Sequence, residues 1–541
     1  MFYTNIIVER PKNTVIYPNK YVYLTTKKIY LKDKKHNCNK RVQIGKMISD
    51  IKMNPNDAAR EFFPEWFKDE EIPMLSDTIS VGNTLLIDTI IKNTRINELL
   101  NSIFENDNLI KDLVNYMIIN GTSTYQHFSS LQRRININCD KIYSDSKISE
   151  FLKRELKEED IRTFMLAYNQ IIDKDKKIYI NYDSTNMNTT ALNIELAEFG
   201  YSKDNDDEPV VNLSYATEKQ TGKPLFYELY QGNVVDNTQM KLMIEKADDY
   251  GYKNIGFIID KGYYSKTNIE YLEKHKYDYI MMIKNNKEKI EEYKYQFVDK
   301  VGHYIPNHEV YGMSIKCNLY TKTKNKYLHI YYNPEKALTE KHNMMTRFRK
   351  LEEELKVKVE KRLSRKQDVR RYENAFYLKF DNTGYLIKYS RKEKYMQEKV
   401  NELGYFTILT SEKMTAIEAL EIYRERDAVE KTFKFIKTEL EMDRLKVHDD
   451  ASLRSKMFVT FIASVIMSEI YRKTKQLREK NRKIYTLPAI INELRRMEIT
   501  KNTKGKYVRK YALTSTQKNI LNQFGIDEDA YNNYIKKINS N

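Results

Sequence analysis

Cysteine is scarce: Cys38, Cys139 and Cys317 are the only three in 541 residues, far apart and without a C-x-x-C pair. That spacing excludes a disulfide framework, and with no clustered histidine partners it excludes structural zinc. The eight histidines form no H-x-x-x-H pair, and no G-x-x-x-x-G-K-[ST] occurs, so neither a histidine metal site nor ATP use is implied. Gly222 and Gly232 form no phosphate-cradling loop. The opening "MFYTNIIVERPKN" lacks a basic stretch followed by an apolar core, and the most apolar run, "MFVTFIASVIM" at 457–467, is too short to span a bilayer. The expectation is a cytoplasmic protein with no membrane partner. Internal repeats and low-complexity linkers are also missing.

What the chain has in abundance is positive charge. Lys+Arg number 93 against 76 Asp+Glu, a formal net charge of +17 and a pI near 9.2, which favours an extended anionic partner such as nucleic acid. The excess is uneven: residues 471–510 hold fourteen Lys/Arg and three Asp/Glu. That stretch is either a solvated helix face or a phosphate-contacting tail. Heavy use of Lys, Asn, Ile and Tyr, with 43 Tyr against 21 Phe, is what AT-rich codons encode.

Texture changes along the chain divide it into six segments. Residues 1–82 alternate short strand-like runs with turns, and "KDKKHNCNKRVQIGK" has the character of a basic hairpin connection, so this region is either a DNA-recognition element or a scaffold. Residues 83–176 carry helical periodicity. From 177 to 284 strands alternate with helices: "KIYINYDST", two strands joined at Thr221-Gly222-Lys223-Pro224, a helix that Asp236 would cap, "NIGFIIDKGYYS", another helix and "YDYIMMIK". Three antiparallel strands followed by this alternation predict a mixed sheet with helices on its faces. The pattern breaks over 285–403, a largely β insertion with one basic helix. It resumes over 404–475 with "GYFTILT" and a helix, and 476–541 reads as a basic helical C-terminus.

Acids at strand ends are the first sign of chemistry. Asp183 follows "KIYINY" and Asp260 follows "NIGFII". In open α/β sheets, side chains beyond strand ends gather at the ligand-binding edge. Each Asp also reads as an ordinary turn or cap residue. The helix "YRERDAVEKTFKFIK" adds Glu430. At about 100° per residue, Tyr423, Arg426, Glu430 and Lys437 fall at roughly 0°, 300°, 340° and 320°, beside an apolar arc of Ile422, Val429, Phe433, Ile436 and Leu440. A carboxylate at the edge of a buried stripe can be partly desolvated and still reach a ligand. Hard oxygen donors suit Mg²⁺ or Mn²⁺, and a few carboxylates can hold two ions for phosphodiester cleavage. Arg426 could grip a phosphate bidentately, Lys437 supplies a point charge, and Tyr423 a hydroxyl or stacking face. The alternative is a plain i, i+4 pair of Arg426 and Glu430 on a solvated face. Lys261, next to Asp260, meets phosphate or is a solvated loop lysine.

Tyr423, Arg426, Glu430 and Lys437 match Y-x2-R-x3-E-x6-K, and here the chain resembles the DDE transposases of a bacterial insertion-sequence superfamily, the insertion-sequence-four-like group. "YDSTNMNTT" is similar to that family's D-[ST]-T motif, "GKPLFYELYQGNVVD" to its G-x-P…GN-x-x-D segment, and "IIDKGYYSKTNI" to its D-[RK]-G-[FY]-[FY]-S motif. The likeness covers roughly residues 80–475, with the motifs in the family's order and spacing. It implies a ribonuclease H-like catalytic fold interrupted by a mostly β insertion. It also implies a metal-binding triad of Asp183, Asp260 and Glu430, two Mg²⁺ or Mn²⁺ ions, and end-positioning by Tyr423, Arg426 and Lys437. The implied partners are transposon-end and target DNA, with a homodimer assembled on paired ends of an element in a bacterial cell. Some members excise through a hairpin stabilised by an aromatic in the insertion. This chain departs there, because its single tryptophan, Trp66, lies far outside that segment. Two rival readings are a ribonuclease H-like nuclease without strand transfer and a DNA-binding protein that no longer cuts.

Overall fold

The structure, a computed structural model, describes residues 2–4, 6–31, 36–56, 58–67, 76–172, 177–200, 208–234, 236–284, 286–319, 325–361 and 366–540. The chain divides into two units, one of Met1–Phe164 with Ile436–Asn541 and one of Met165–Phe435.

The first unit begins with five antiparallel strands, β1 (Val8–Glu9), β2 (Thr14–Ile16), β3 (Tyr21–Leu31), β4 (His36–Met47) and β5 (Lys52–Pro55), ordered β1-β5-β4-β3-β2. Alternation places Val22 and Leu24 of β3 and Val42 and Ile44 of β4 on the face that packs with Met47, Met53, Ala59 and Phe67. The strand β6 (Thr78–Ser80) then leads into helices Gly82–Asn93, Ile96–Ile103 and Asp107–Asn120.

In the second unit, β7 (Ile178–Asn188), β8 (Val210–Glu218) and β9 (Pro224–Gln231) form an antiparallel meander. The strands β10 (Ile255–Ile259) and β11 (Asp278–Ile283) add parallel to β7. Gly222 makes the β8–β9 turn at φ +67°, a conformation glycine adopts without strain. The capping role read for Asp236 falls on a side chain outside the described ones.

Residues 285–403 supply β12 (Tyr304–Ile305), β13 (Val310–Cys317) and β14 (Lys326–Tyr332), the 27-residue helix Pro334–Glu360, the hairpin β15 (Phe376–Phe380) and β16 (Leu386–Arg391), and the helix Glu393–Asn401. The first three do not stand apart from the sheet. They continue it through β17 (Tyr405–Thr410), giving the nine-stranded order β12-β13-β14-β17-β11-β10-β7-β8-β9. The rest closes a small core of its own around Leu355, Val369, Tyr372, Phe376 and Leu386.

Against the sheet lies the helix Ala416–Arg424, opened by a capping box in which Thr415 and Glu418 satisfy each other's backbone N–H groups. Its Ala416, Leu420 and Tyr423 bury against Ile258, Ile280, Val310, Tyr331 and Ile408. The observed architecture is mixed α/β, with one mixed sheet and helices packed on it.

Back in the first unit, the run 457–467 sits inside the helix Asp450–Lys473. That helix is long and apolar enough to cross a membrane, but 78% of its apolar window is buried in the protein. Its neighbours include Asp107–Asn120, where Met117 Sδ lies 3.9 Å from Thr460 Oγ1. The expected helical C-terminus is partly β. The strand β18 (Glu498–Lys501) pairs with β6 on one side, Ile499 opposite Ile79, and with β19 (Tyr507–Arg509) on the other, because two buried isoleucines in register outweigh local helix preference.

Candidate active site

Register brings the two aspartates together. Tyr182 of β7 pairs with Ile259, the last residue of β10, so Asp183 and Asp260 are the next residues on adjacent parallel strands. One expectation needs correcting here. Asp183 does not end its strand, since β7 runs on to Asn188 under continued pairing with β8. It sits instead at the level where β7 loses its β10 neighbour, which opens the same edge by a different route.

The residues around Asp260 serve to aim it. Tyr263 packs its ring 4.9 Å from that of Tyr182. Ser265 caps the helix Lys266–Lys274 by accepting from the Asn268 N–H at 3.1 Å, and the Asn268 amide donates to the Tyr263 carbonyl at 2.9 Å. In the sequence Tyr263 and Ser265 stand only as parts of the D-[RK]-G-[FY]-[FY]-S motif. The serine three residues before Asn268, at the head of a helical run, was the available signal.

The second correction concerns the signature helix. It is not continuous: the helix Ala416–Arg424 stops, Glu425 and Arg426 form a turn, and a new helix runs Asp427–Lys434 before a π-helical segment Phe435–Glu439. Around the turn, i→i+3 bonds replace i→i+4 ones, Arg426 N–H to the Tyr423 carbonyl and Val429 N–H to that of Arg426. Lys219 holds Glu425 at 2.7 Å, and the Asn181 amide reaches the Glu425 carbonyl at 3.5 Å. Tyr423, Arg426 and Glu430 still converge on the aspartates. Lys437 lies in the π-helical segment, beyond the unit boundary.

At the centre is Arg426, 13% exposed, and its guanidinium lies among all three acids. Nη2 is 2.7 Å from Glu430 Oε1, and Nη1 is 3.3 Å from Asp260 Oδ2 and 3.7 Å from Asp183 Oδ2. Nη1 is buried yet makes no hydrogen bond of good geometry. The Tyr423 hydroxyl donates to Asp260 Oδ1 at 3.0 Å, and the guanidinium lies 5.6 Å over the Tyr423 ring. Burial alone would push Asp260 up, but Arg426, the Lys261 N–H and the Tyr423 hydroxyl hold it below the usual carboxylate value. Burial pushes the Tyr423 hydroxyl well up and keeps it a donor. Burial also works against the Arg426 charge, which Tyr423 and the three acids more than restore.

Chemically this is a cluster of three hard-oxygen carboxylates around one cation. Among the described residues no three His, Cys, Asp or Glu stand close enough to hold a metal ion as they are. Arg426 fills the space between them. The donor set is nevertheless of the kind that suits a hard divalent ion, because three carboxylates face one guanidinium whose Nη1 is imperfectly bonded there. Lys261 is exposed and borders a cavity of about 270 Å³ that Lys336, Lys399, Tyr405 and Phe406 also line.

The model of the transposase DDE domain family matches residues 176–466, more than half of the chain. Among curated proteins no match is found. Similar solved structures include the piggyBac transposase synaptic complex with hairpin DNA, at 9% identity over 84% of this chain and 82% of that one, TM-score 0.36. Another is the Mos1 transposase paired-end complex with the left transposon end, at 10% identity over 31% of this chain and 57% of that one, TM-score 0.15. The extent of the family match settles the assignment: the chain belongs to the DDE transposase family.

Proposed function

We propose that this protein is the transposase of a bacterial insertion sequence of the insertion-sequence-four-like, Y-R-E-K-signature group. It binds the element's terminal inverted repeats as a homodimer, cleaves the DNA there and joins the ends to a target, acting in the cytoplasm at the nucleoid. The observation that carries this reading is the convergence of Asp183, Asp260 and Glu430 on one cationic group within the segment matched by the DDE domain. A ribonuclease H-like core is supported by the order β9-β8-β7-β10-β11, with the first three strands antiparallel and the last two parallel to β7.

In this mechanism Asp183, Asp260 and Glu430 would hold two Mg²⁺ or Mn²⁺ ions. When bound, those ions would supply charge that activates the attacking oxygen and steadies the leaving one. Tyr423 keeps its proton and orients Asp260 through the 3.0 Å hydrogen bond. Arg426, released from the carboxylates, has the planar donor pair that grips a phosphate of the DNA end, and Lys437 would be a further phosphate contact. Positioning and electrostatics carry the catalysis, and no side-chain nucleophile is required.

The test uses a duplex carrying the element's terminal repeat. The native protein should cut at the repeat end with Mg²⁺ and join the product to a second DNA, while Glu430→Gln binds and does neither. Cutting without joining would turn the reading to a nuclease. Binding without cutting by the native protein would turn it to a DNA-binding protein that has lost its chemistry.

A further inference from the structure

The hairpin β3–β4 is supported only at its base. Along β3, β2 pairs with Val22–Leu24 alone, and the Thr25 N–H makes one further bond to the Asn13 carbonyl. Along β4, β5 pairs with Gly45–Met47, and Asn56 just after it donates to the Ile44 and Gln43 carbonyls. Beyond those residues the two strands pair only with each other, out to Leu31 and His36, so both outer edges of the ribbon are unpaired among the described residues. Six residues past Thr25 carry it about 20 Å beyond its anchored base. Two register shifts, at Val22/Tyr23 and Thr25/Lys27, mark bulges, which strengthen the right-handed twist of such a ribbon.

Its charge is strongly positive. Residues 21–47 contain eight Lys/Arg and one acid, Asp33. On the described part, Lys27 stands directly opposite Lys40, with Arg41 beside it, and all three are exposed. Like charges in a cross-strand pair destabilise, and a two-stranded ribbon is marginal by itself. Single lysines on an edge strand are an ordinary guard against aggregation. Paired lysines facing each other go beyond that purpose and lower the ribbon's own stability. Among the described residues Lys40 meets the carboxylate of Glu150 at 3.4 Å, which is shared with Lys147 at 3.4 Å and Arg154 at 3.5 Å. Three cations on one acid leave a positive surface at the ribbon's flank.

We propose that the β3–β4 ribbon is a DNA-binding arm that lies in the major groove of duplex DNA, with Lys27, Lys40 and Arg41 at the phosphates. A twisted two-stranded ribbon has the width that groove admits, and the phosphates relieve the repulsion built into the pair. The arm rests on the transposase reading for the identity of its DNA, though not for its geometry.

The experiment measures binding of the full chain to two 30-base-pair duplexes, the terminal repeat and a scrambled control, by fluorescence anisotropy over a range of salt. The triple variant Lys27→Ser, Lys40→Ser, Arg41→Ser should bind both duplexes about 10- to 100-fold more weakly near 150 mM salt. Its slope of log affinity against log salt should be shallower by about 2 to 3. A photo-crosslinking amino acid at Thr26, in the otherwise native chain, should attach to duplex DNA, which keeps the test independent of whether the triple variant folds. Unchanged binding and slope, or no crosslink, would overturn the arm. If that happens while the native protein still cuts the repeat, only the arm has failed. Native protein that cuts nothing but still crosslinks through Thr26 leaves the arm standing and removes the transposase reading. No duplex binding at all removes both.

Discussion

Arg426 is the residue on which the site turns. One guanidinium compensates three carboxylates brought from β7, the end of β10 and the helix Asp427–Lys434. Tyr423 steadies the most interconnected of them. Tyr423→Phe keeps the packing against Ile258 and Ile280 but removes the hydrogen bond to Asp260, which should cost about 1 kcal/mol of stability. Its signature in pH is specific. Asp260 is depressed in the folded state, so the stability it contributes is present above the ordinary carboxylate value and is lost as pH falls through the lowered one. The variant should raise that lower limit. Acid unfolding followed by circular dichroism should begin at a higher pH than in the native protein, and coincident curves would show that the hydroxyl does not support Asp260.

At the scale of elements, the motif glycine in "QGNVVD" has a physical reason to be glycine. A Cβ at Gly232 would stand 2.0 Å from the Val210 carbonyl oxygen and 2.5 Å from that of Glu198, both backbone atoms that cannot step aside. The Asn212 amide donates to the carbonyls of Gln231, Gly232 and Val234 and ties the same turn. Gly232→Ala should therefore lose about 2 to 4 kcal/mol in urea unfolding, whereas an unchanged midpoint would mean the strands can part freely there. Much at this scale was legible: the β7–β8–β9 meander and the apolar strands before both aspartates. The break at Glu425–Arg426 was not. No proline or glycine announces it, and the groups that meet Glu425, Lys219 and the Asn181 amide, come from far along the chain. The extension of β7 past Asp183 and the joining of β12–β14 to the main sheet were hidden for the same reason. Strand partners tens of residues apart, β8 for β7 and β17 for β14, already leave no local pattern, and β18 found β6 from much further along the chain.

For the molecule as a whole, stability in the first unit depends on a half-buried acid that ties its two chain segments together. Asp88, from the helix Gly82–Asn93, accepts from the Tyr534 hydroxyl of the helix Glu528–Ile538 at 3.0 Å. Burial raises its carboxyl to about 6. With the folded value raised above the unfolded 3.8, its contribution is full below that value and is lost as pH rises through about 6. Asp88→Asn should remove this dependence and leave the protein about 2 to 3 kcal/mol more stable at pH 8 than the native chain, with little difference at pH 4. Denaturant midpoints at the two pH values decide it, and a variant weakened at pH 8 would mean that the charged form is the one the fold needs. The net charge of +17 and the basic ribbon β3–β4 belong to this scale too, since both ready the chain for a long polyanion.

The central claim is that Asp183, Asp260 and Glu430 hold the metal ions of a DNA-cutting site. The most direct measurement of it is cleavage of the terminal-repeat duplex by Asp260→Cys in Mg²⁺ and in Mn²⁺. A thiolate is a poor ligand for Mg²⁺ and a better one for the softer Mn²⁺. The variant should be inactive with Mg²⁺ and regain cutting with Mn²⁺, while the native protein cuts with both. Equal activity in the two metals, or no recovery while the variant still binds DNA as the native protein does, would contradict the claim.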